Sequence, residues 1–461
     1  MFWEKSRTIQ SHIQSLGFLP LMYFGFAFTR RWTFILSSFT LGDAASLAVF
    51  GLLGALSSTL MLIAGSMIVL KTGFLYKKGI LIPISALITI MGSIPVLFFD
   101  APEVLLMGGT ALANIGFSML FLLWLEFYGL LKPVQMILAY SGSMLLNVLI
   151  TSFANLIIPS VAPYVILTFP LISAVCLIFC YLHLNDSEFN RDASPATTAW
   201  DASFKKLIAW LCIFGFAFGA SSAVISETAV GMSTLGRFVF SAVLFFGTLQ
   251  FPKKFTLILV YRITLPLMIL ALALGFFSDL APLLPQFFLS AGMDGYQALS
   301  IIVCCGMAMH KNVSAAFYCG IAFAIETISI QIGRIAIVTL QNYISLNFII
   351  VGIVLIFALV IATLFLFKES DLTASYSERA LEAIRDNEFF TRELTSHVKV
   401  YGLTDKELSV FILMVRGMST KEIAAEFYLA PSTVRVHTSK IYQKLDVHNR
   451  EEFDKLVKTL L

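Results

Sequence analysis

The chain has 461 residues, of which 58% are hydrophobic and 13% charged. Soluble domains carry about 45–50% apolar and about 25% charged residues, which excludes an ordinary water-soluble fold for most of this chain. The formal net charge of +3 excludes little by itself, because in a membrane protein the placement of Lys and Arg matters more than their total.

The N-terminal stretch MFWEKSRTIQSHIQSLG is polar and lacks a small-residue cleavage site, so it is expected to be retained in the cytosol. A helix needs roughly 20 apolar residues to cross the hydrocarbon layer. That ruler predicts spans at 17–39, 44–70, 79–99, 104–131, 134–157 and 162–184. A second set follows at 205–229, 232–251, 255–277, 287–309, 314–340 and 344–367. The polar segment HLNDSEFNRDASPATTAWDASFKK separates the two sets. The expected organisation is a first membrane half (1–184), a central cytoplasmic loop (185–204), a second half (205–367), a helical linker (368–400) and a small terminal domain (401–461).

Basic residues favour the cytoplasmic side of a membrane. Lys5 and Arg7, Lys71, Lys77 and Lys78, Lys132, Arg191, Lys205 and Lys206, Lys253 and Lys254, Lys311 and Lys368 all fall on the ends or on even-numbered connections. The odd connections, such as GDAA, DAPE and SDLAPLLPQ, contain neither Lys nor Arg. This alternation predicts a multi-pass membrane protein with both termini cytoplasmic. The six cysteines (Cys176, Cys180, Cys212, Cys304, Cys305, Cys319) lie within apolar runs at no zinc or disulfide spacing, so they read as small hydrophobes. No metal or other cofactor is expected.

Charges inside a span are costly, about 2.5–3.5 kcal/mol on insertion scales, and normally face a cavity or a partner. Arg30 and Arg31 interrupt the first span, while Glu227 and Arg237 flank the connection between the seventh and eighth. Glu126 lies about two turns above the inner end of the fourth span. Glu326 and Arg334 are expected to share a face of the eleventh. Arg262 is close enough to Lys253 and Lys254 to snorkel to the inner surface. Either these charges pair to fix helix packing, or they line a cavity for a small ligand. The seven named cavity candidates carry one positive charge in excess, which favours a ligand with an anionic or strongly hydrogen-bonding group.

Two six-helix halves joined by a cytosolic loop resemble the major facilitator superfamily over residues 1–368. The connection KTGFLYKKG stands where that family has a Gly-rich basic loop. It lacks the acidic residue usual there.

After Phe367 the composition changes abruptly. SERALEAIRDNEFFTRELTSHV spaces Leu381, Ile384, Phe390, Leu394 and Val398 as an amphipathic helix would. In the remainder, four short helices are predicted. Thr404 with Glu407, and Ser419 with Glu422, form capping-box patterns, and Gly417 marks a helix stop. Pro431 suits a first helical position. The two central helices then form a helix-turn-helix, whose second helix enters the major groove. On Pro431–Leu445, Val434, Ile441 and Leu445 make the inner stripe, and Arg435, Val436, Ser439, Lys440 and Gln443 face outward. That helix carries three basic residues and no acid, as phosphate contact requires.

LTDKE, GMSTKEIA, STVRVHTSKIYQKLDV and NREE, in order over 401–461, resemble the DNA-binding domain of LuxR-type transcription regulators. The resemblance implies that Arg435, Val436 and Ser439 read bases, and that Lys421, Thr433, Lys440 and Lys444 contact phosphates. His437 becomes a structural or phosphate-contacting residue. Ala430 replaces the family's usual Ser N-cap, at a cost of about 1 kcal/mol. The fourth helix offers Phe453, Leu456, Val457 and Leu460 to the domain core or to a second copy.

The expected fold is therefore all-α: a twelve-helix, major-facilitator-like bundle followed by a four-helix LuxR-type domain. The expected partners are double-stranded promoter DNA, the lipid bilayer, a small-molecule ligand and, on DNA, a second copy of the chain. No receiver-domain acidic cluster, kinase nucleotide loop or hydrolase elbow occurs, so a regulator is expected rather than an enzyme. The alternative is a transporter with a regulatory DNA-binding tail.

Overall fold

A segment crossing hydrocarbon must satisfy its own backbone N–H and C=O groups, and an uninterrupted helix does so. The computed structural model describes residues 21–30, 32, 44–77, 79–98, 102–131, 133–154, 161–182, 200, 202–225, 230–250, 257–276, 283–311, 313–343, 348–365, 401–415, 420, 423–424, 431–450, 452–453 and 456. Almost all of these residues are helical, and none is in a strand. The chain divides into two compact units, Met1–Ser375 and Tyr376–Leu461.

In the first unit, a 3-10 turn, Leu21–Phe24, leads into helical residues 26–30 (α1). The remaining helices of the first half are α2 (Ala44–Thr72), α3 (Leu81–Phe98), α4 (Glu103–Tyr128), α5 (Pro133–Ala154) and α6 (Ala162–Leu182). Those of the second half are α7 (Ala202–Val224), α8 (Val230–Gln250), α9 (Leu257–Gly275), α10 (Leu284–Lys311), α11 (Ala315–Tyr343) and α12 (Phe348–Phe365). Each expected span thus contains a helix, and among the described residues nine of these are long and apolar enough to cross a membrane. The outer surface is apolar, with Met91, Phe246, Phe357 and Leu364 exposed. A surface of this kind suits lipid.

The packing repeats with a shift of six. α3 packs on α4 as α9 does on α10, α2 on α4 as α8 does on α10, and α3 on α6 as α9 does on α12. Between the halves, α2 packs on α11 and α5 on α8, while α4 on α11 matches α10 on α5. Adding six to every helix number therefore maps these pairs onto one another. Two parallel repeats about an axis along the membrane normal have this signature. Small residues permit the closest crossings: a Cβ at Gly219 would lie 2.0 Å from the Ile330 carbonyl, and one at Gly333 would lie 2.2 Å from that of Phe216. Those two glycines let α7 and α11 touch backbone to backbone, as small residues do between membrane helices.

In the second unit, α13 (Asp405–Val415) and α14 (Pro431–Leu445) pack together. The Thr404 capping box is formed. The Thr404 N–H donates to Glu407 Oε2 at 2.9 Å, and the Glu407 N–H donates to Thr404 Oγ1 at 3.4 Å. Val434, Ile441 and Leu445 enter the domain core with Phe411 and Phe453, as the inner stripe predicts. Leu456 packs on that same core. α14 ends at Asp446, which adopts φ 54°, while the Val447 N–H reaches back to the Tyr442 carbonyl at 3.0 Å. This is a Schellman stop with Asp where Gly is usual. The linker 368–400, Gly417, Ser419, Lys421, Glu422, Ala430, Val457 and Leu460 lie outside the described residues.

Candidate DNA-reading surface and membrane cavity

A 15-residue helix that buries one stripe must show the other face to solvent. On α14 the exposed residues include Thr433, Arg435, Val436, Ser439, Lys440 and Gln443. Val436 is 54% exposed, an apolar side chain in the middle of a polar, basic face. Together these offer a bidentate donor, a methyl contact and a hydroxyl side by side, which is the chemistry that reads base edges in the major groove. Lys444 is placed differently. Its Nζ donates to Glu407 Oε2 at 2.7 Å and to the Gly402 carbonyl at 2.8 Å, so it ties α14 to α13. That pairing, with the Thr404 N–H, holds the Glu407 carboxyl at a pKa of about 2, well below the usual carboxylate range. His437 is half-buried, with Nδ1 facing inward.

In the membrane unit, α1, α2, α4, α10 and α11 line a cavity of about 260 Å³. Arg30 and Glu326 line it, joined by Gln297, Asn114, Ser118 and the rings of Phe117, Phe121 and Phe323. The polar groups form a relay between the halves. An Arg30 Nη2 donates to Gln297 Oε1, and Gln297 Nε2 donates to Glu326 Oε1 at 2.7 Å. The Arg30 guanidinium also lies over the Phe121 ring, 5.8 Å from its centroid. Buried Asp294 lies within electrostatic reach of Arg237 and Arg30.

Of the cavity candidates named by sequence, the structure brings Arg30 and Glu326 together and sets Arg237 near them. Arg31 and Glu227 lie outside the described residues. Glu326 is buried, whereas Arg334 is exposed on the same helix. Eight residues at 3.6 per turn leave about 80° between them, enough to carry Arg334 off the cavity face. Arg262 is exposed near the start of α9, where a snorkelling side chain belongs.

Glu126 lies outside the cavity, because α4 stops at Tyr128 and leaves Glu126 in its last turn. Its carboxylate accepts the Leu75 N–H at 3.0 Å, the Tyr76 N–H at 2.8 Å and the Ser314 hydroxyl. Ser314 also accepts the Ala316 N–H at 3.2 Å as α11 begins. One buried carboxylate thereby joins the α2–α3 connection to the start of α11. The connection KTGFLYKKG, which has no acid of its own, thus meets a buried carboxylate from α4.

Residues 402–455 match GerE, the family described as bacterial regulatory proteins, luxR family. The spore germination protein GerE of Bacillus subtilis (strain 168) is 46% identical over 50 residues, which cover 11% of this chain and 68% of that protein. The chain belongs to the luxR family of bacterial regulatory proteins. A nitrate/nitrite response regulator protein homolog of Haemophilus influenzae is 42% identical over 49 residues, covering 11% of this chain and 24% of that relative. The similarity to such relatives is thus confined to the tail, and the chain spans about a quarter of that regulator's length. The human organic anion transporter MFSD10 (TETRAN) superposes with a TM-score of 0.56 at 11% identity, over 78% of this chain and 99% of its own. The membrane unit therefore has the major-facilitator fold.

This luxR-family chain thus joins a DNA-binding helix-turn-helix to a major-facilitator bundle. Four groups in or beside the cavity are not singled out by sequence. Asn114, Ser118 and Gln297 are uncharged and look like ordinary polar residues in a span. Asp294 does carry a signal, as an acid inside the apolar run of the tenth span.

Proposed function

We propose that the protein is a membrane-embedded, one-component transcription regulator. The bundle senses a small molecule in the cavity between its halves, and the luxR-type tail binds promoter DNA beside the membrane. The observation that carries this reading is the exposed Arg435–Val436–Ser439 face of α14 in the same chain as a polar cavity that bridges two helical halves. Arg435, Val436 and Ser439 read bases, while Thr433, Lys440 and Lys421 meet phosphates. Lys444 serves instead to hold α14 against α13. The basic even-numbered connections favour a cytosolic position for both termini, which in the inner membrane of a bacterium is within reach of a chromosome. Ligand favours one arrangement of the halves by its difference in affinity for the two states, and residues 368–400 transmit that preference to the pairing of two tails. A two-fold dimer then reads half-sites about 34 Å apart.

Chromatin immunoprecipitation from cells making the full chain tests this directly. Wild type is expected to recover a discrete promoter, and Arg435→Ala is expected to lose it with an unchanged membrane fraction. Equal recovery by both would remove α14 as the reader. A transporter with a regulatory tail would instead accumulate substrate in vesicles whether or not Arg435 is present.

A further inference from the structure

The relay at the cavity leaves particular atoms unsatisfied. Gln297 uses its carbonyl on Arg30 and its amide on Glu326 Oε1, so this amide bridges the guanidinium and the carboxylate. Glu326 Oε2 is buried and has no hydrogen-bond partner. On α4, Ser118 Oγ is also buried without a partner. Both side chains line the cavity. Buried polar atoms are nearly always hydrogen-bonded, so two orphans on side chains that line one cavity call for a polar partner within it. An ionised carboxylate can only accept, and a serine hydroxyl can accept as well.

Charge points the same way. Arg237 and Arg30 both act on Asp294, and Glu326 is the second acid of the described centre, so two cations face two acids. Among the described residues this leaves no positive surplus for an anion. Phe117, Phe121 and Phe323 supply apolar walls whose faces favour a cation.

We propose that the cavity binds a small organic amine, with its ammonium group on Glu326 Oε2 and Ser118 Oγ and a compact apolar body against Phe117, Phe121 and Phe323. This rests on the sensing reading above and, of the anionic or strongly hydrogen-bonding group that sequence charge favours, keeps the second.

Three probes with one body and different heads decide it: 4-phenylbutylamine, 4-phenylbutyrate and 4-phenylbutanol, titrated into the purified full chain in nanodiscs. The amine is expected to bind at least tenfold more tightly than the acid. Glu326→Gln is expected to weaken the amine at least tenfold while leaving the alcohol within about twofold, and Ser118→Ala to weaken the amine less. If Glu326→Gln does not fold, the wild-type ranking with Ser118→Ala decides alone. Tightest binding by the acid, or binding by none of the three, overturns the proposal. Promoter output in cells separates this from the broader reading. Amine binding without a change in output would sink sensing and leave the ligand class standing, whereas an output response to the acid alone would do the reverse.

Discussion

Lys444 on α14 donates to Glu407, the capping-box residue of α13, at 2.7 Å. One carboxylate therefore caps a helix and clamps the next one. Glu407→Gln is expected to loosen the tail by about 1 kcal/mol, through loss of an ion pair and a weaker cap. The pH dependence follows from the sign of the shift. A carboxyl at about 2 in the folded tail and about 4.3 in an unfolded chain contributes stability above the higher value and loses it as pH falls through the lower. Amide hydrogen exchange over α13 at pH 6 and pH 3 checks this, with the wild-type advantage over Glu407→Gln shrinking in acid.

Arg435 and Lys440 share the exposed face of α14 but are expected to fail differently. Arg435→Ala should cost about 1–3 kcal/mol at one base position and relax specificity there. Lys440→Ala should weaken all sequences alike and reduce the salt slope by about 1. Binding titrations of target and scrambled duplexes at several salt concentrations distinguish them. Lys444→Ala should lower tail stability and leave the salt slope nearly unchanged.

Glu126 satisfies two buried N–H groups and a hydroxyl at once. Glu126→Ala strands the Leu75 and Tyr76 amides, each at about 1–3 kcal/mol. The purified protein should melt several degrees lower, and the α2–α3 connection should become cleavable by protease. Glu126→Gln keeps one acceptor and should fall between. A melting temperature unchanged in both variants would remove Glu126 as the tie between that connection and α11.

Asp446 sits at φ 54° with nothing but helix termination to explain it. Asp446→Gly removes the left-handed penalty and is expected to stabilise the tail by up to about 1 kcal/mol. Slower exchange in α14 is the readout, and faster exchange would contradict it.

Several features are legible in the order of the amino acids alone. The Thr404–Glu407 capping box and the inner stripe of Val434, Ile441 and Leu445 are local patterns, and local patterns survive whatever the rest of the chain does. The span positions are equally plain, since hydrocarbon demands long apolar runs. The cavity is not. Glu126 and Glu326 look alike in sequence as single acids in apolar helices, yet one ties down a connection and the other lines the cavity.

By itself, the sequence determined where the helices lie, which connections carry the basic residues and which face of α14 stays in solvent, because hydropathy, loop charge and 3.6-residue periodicity are read along the chain. Tertiary packing decided which intramembrane polar groups meet: Arg30 and Gln297 are 267 residues apart and hydrogen-bonded. The reason is that helices apolar all round carry no stripe to mark their inner face. Only the neighbours they pack against select which polar side chain turns inward, and what it finds there.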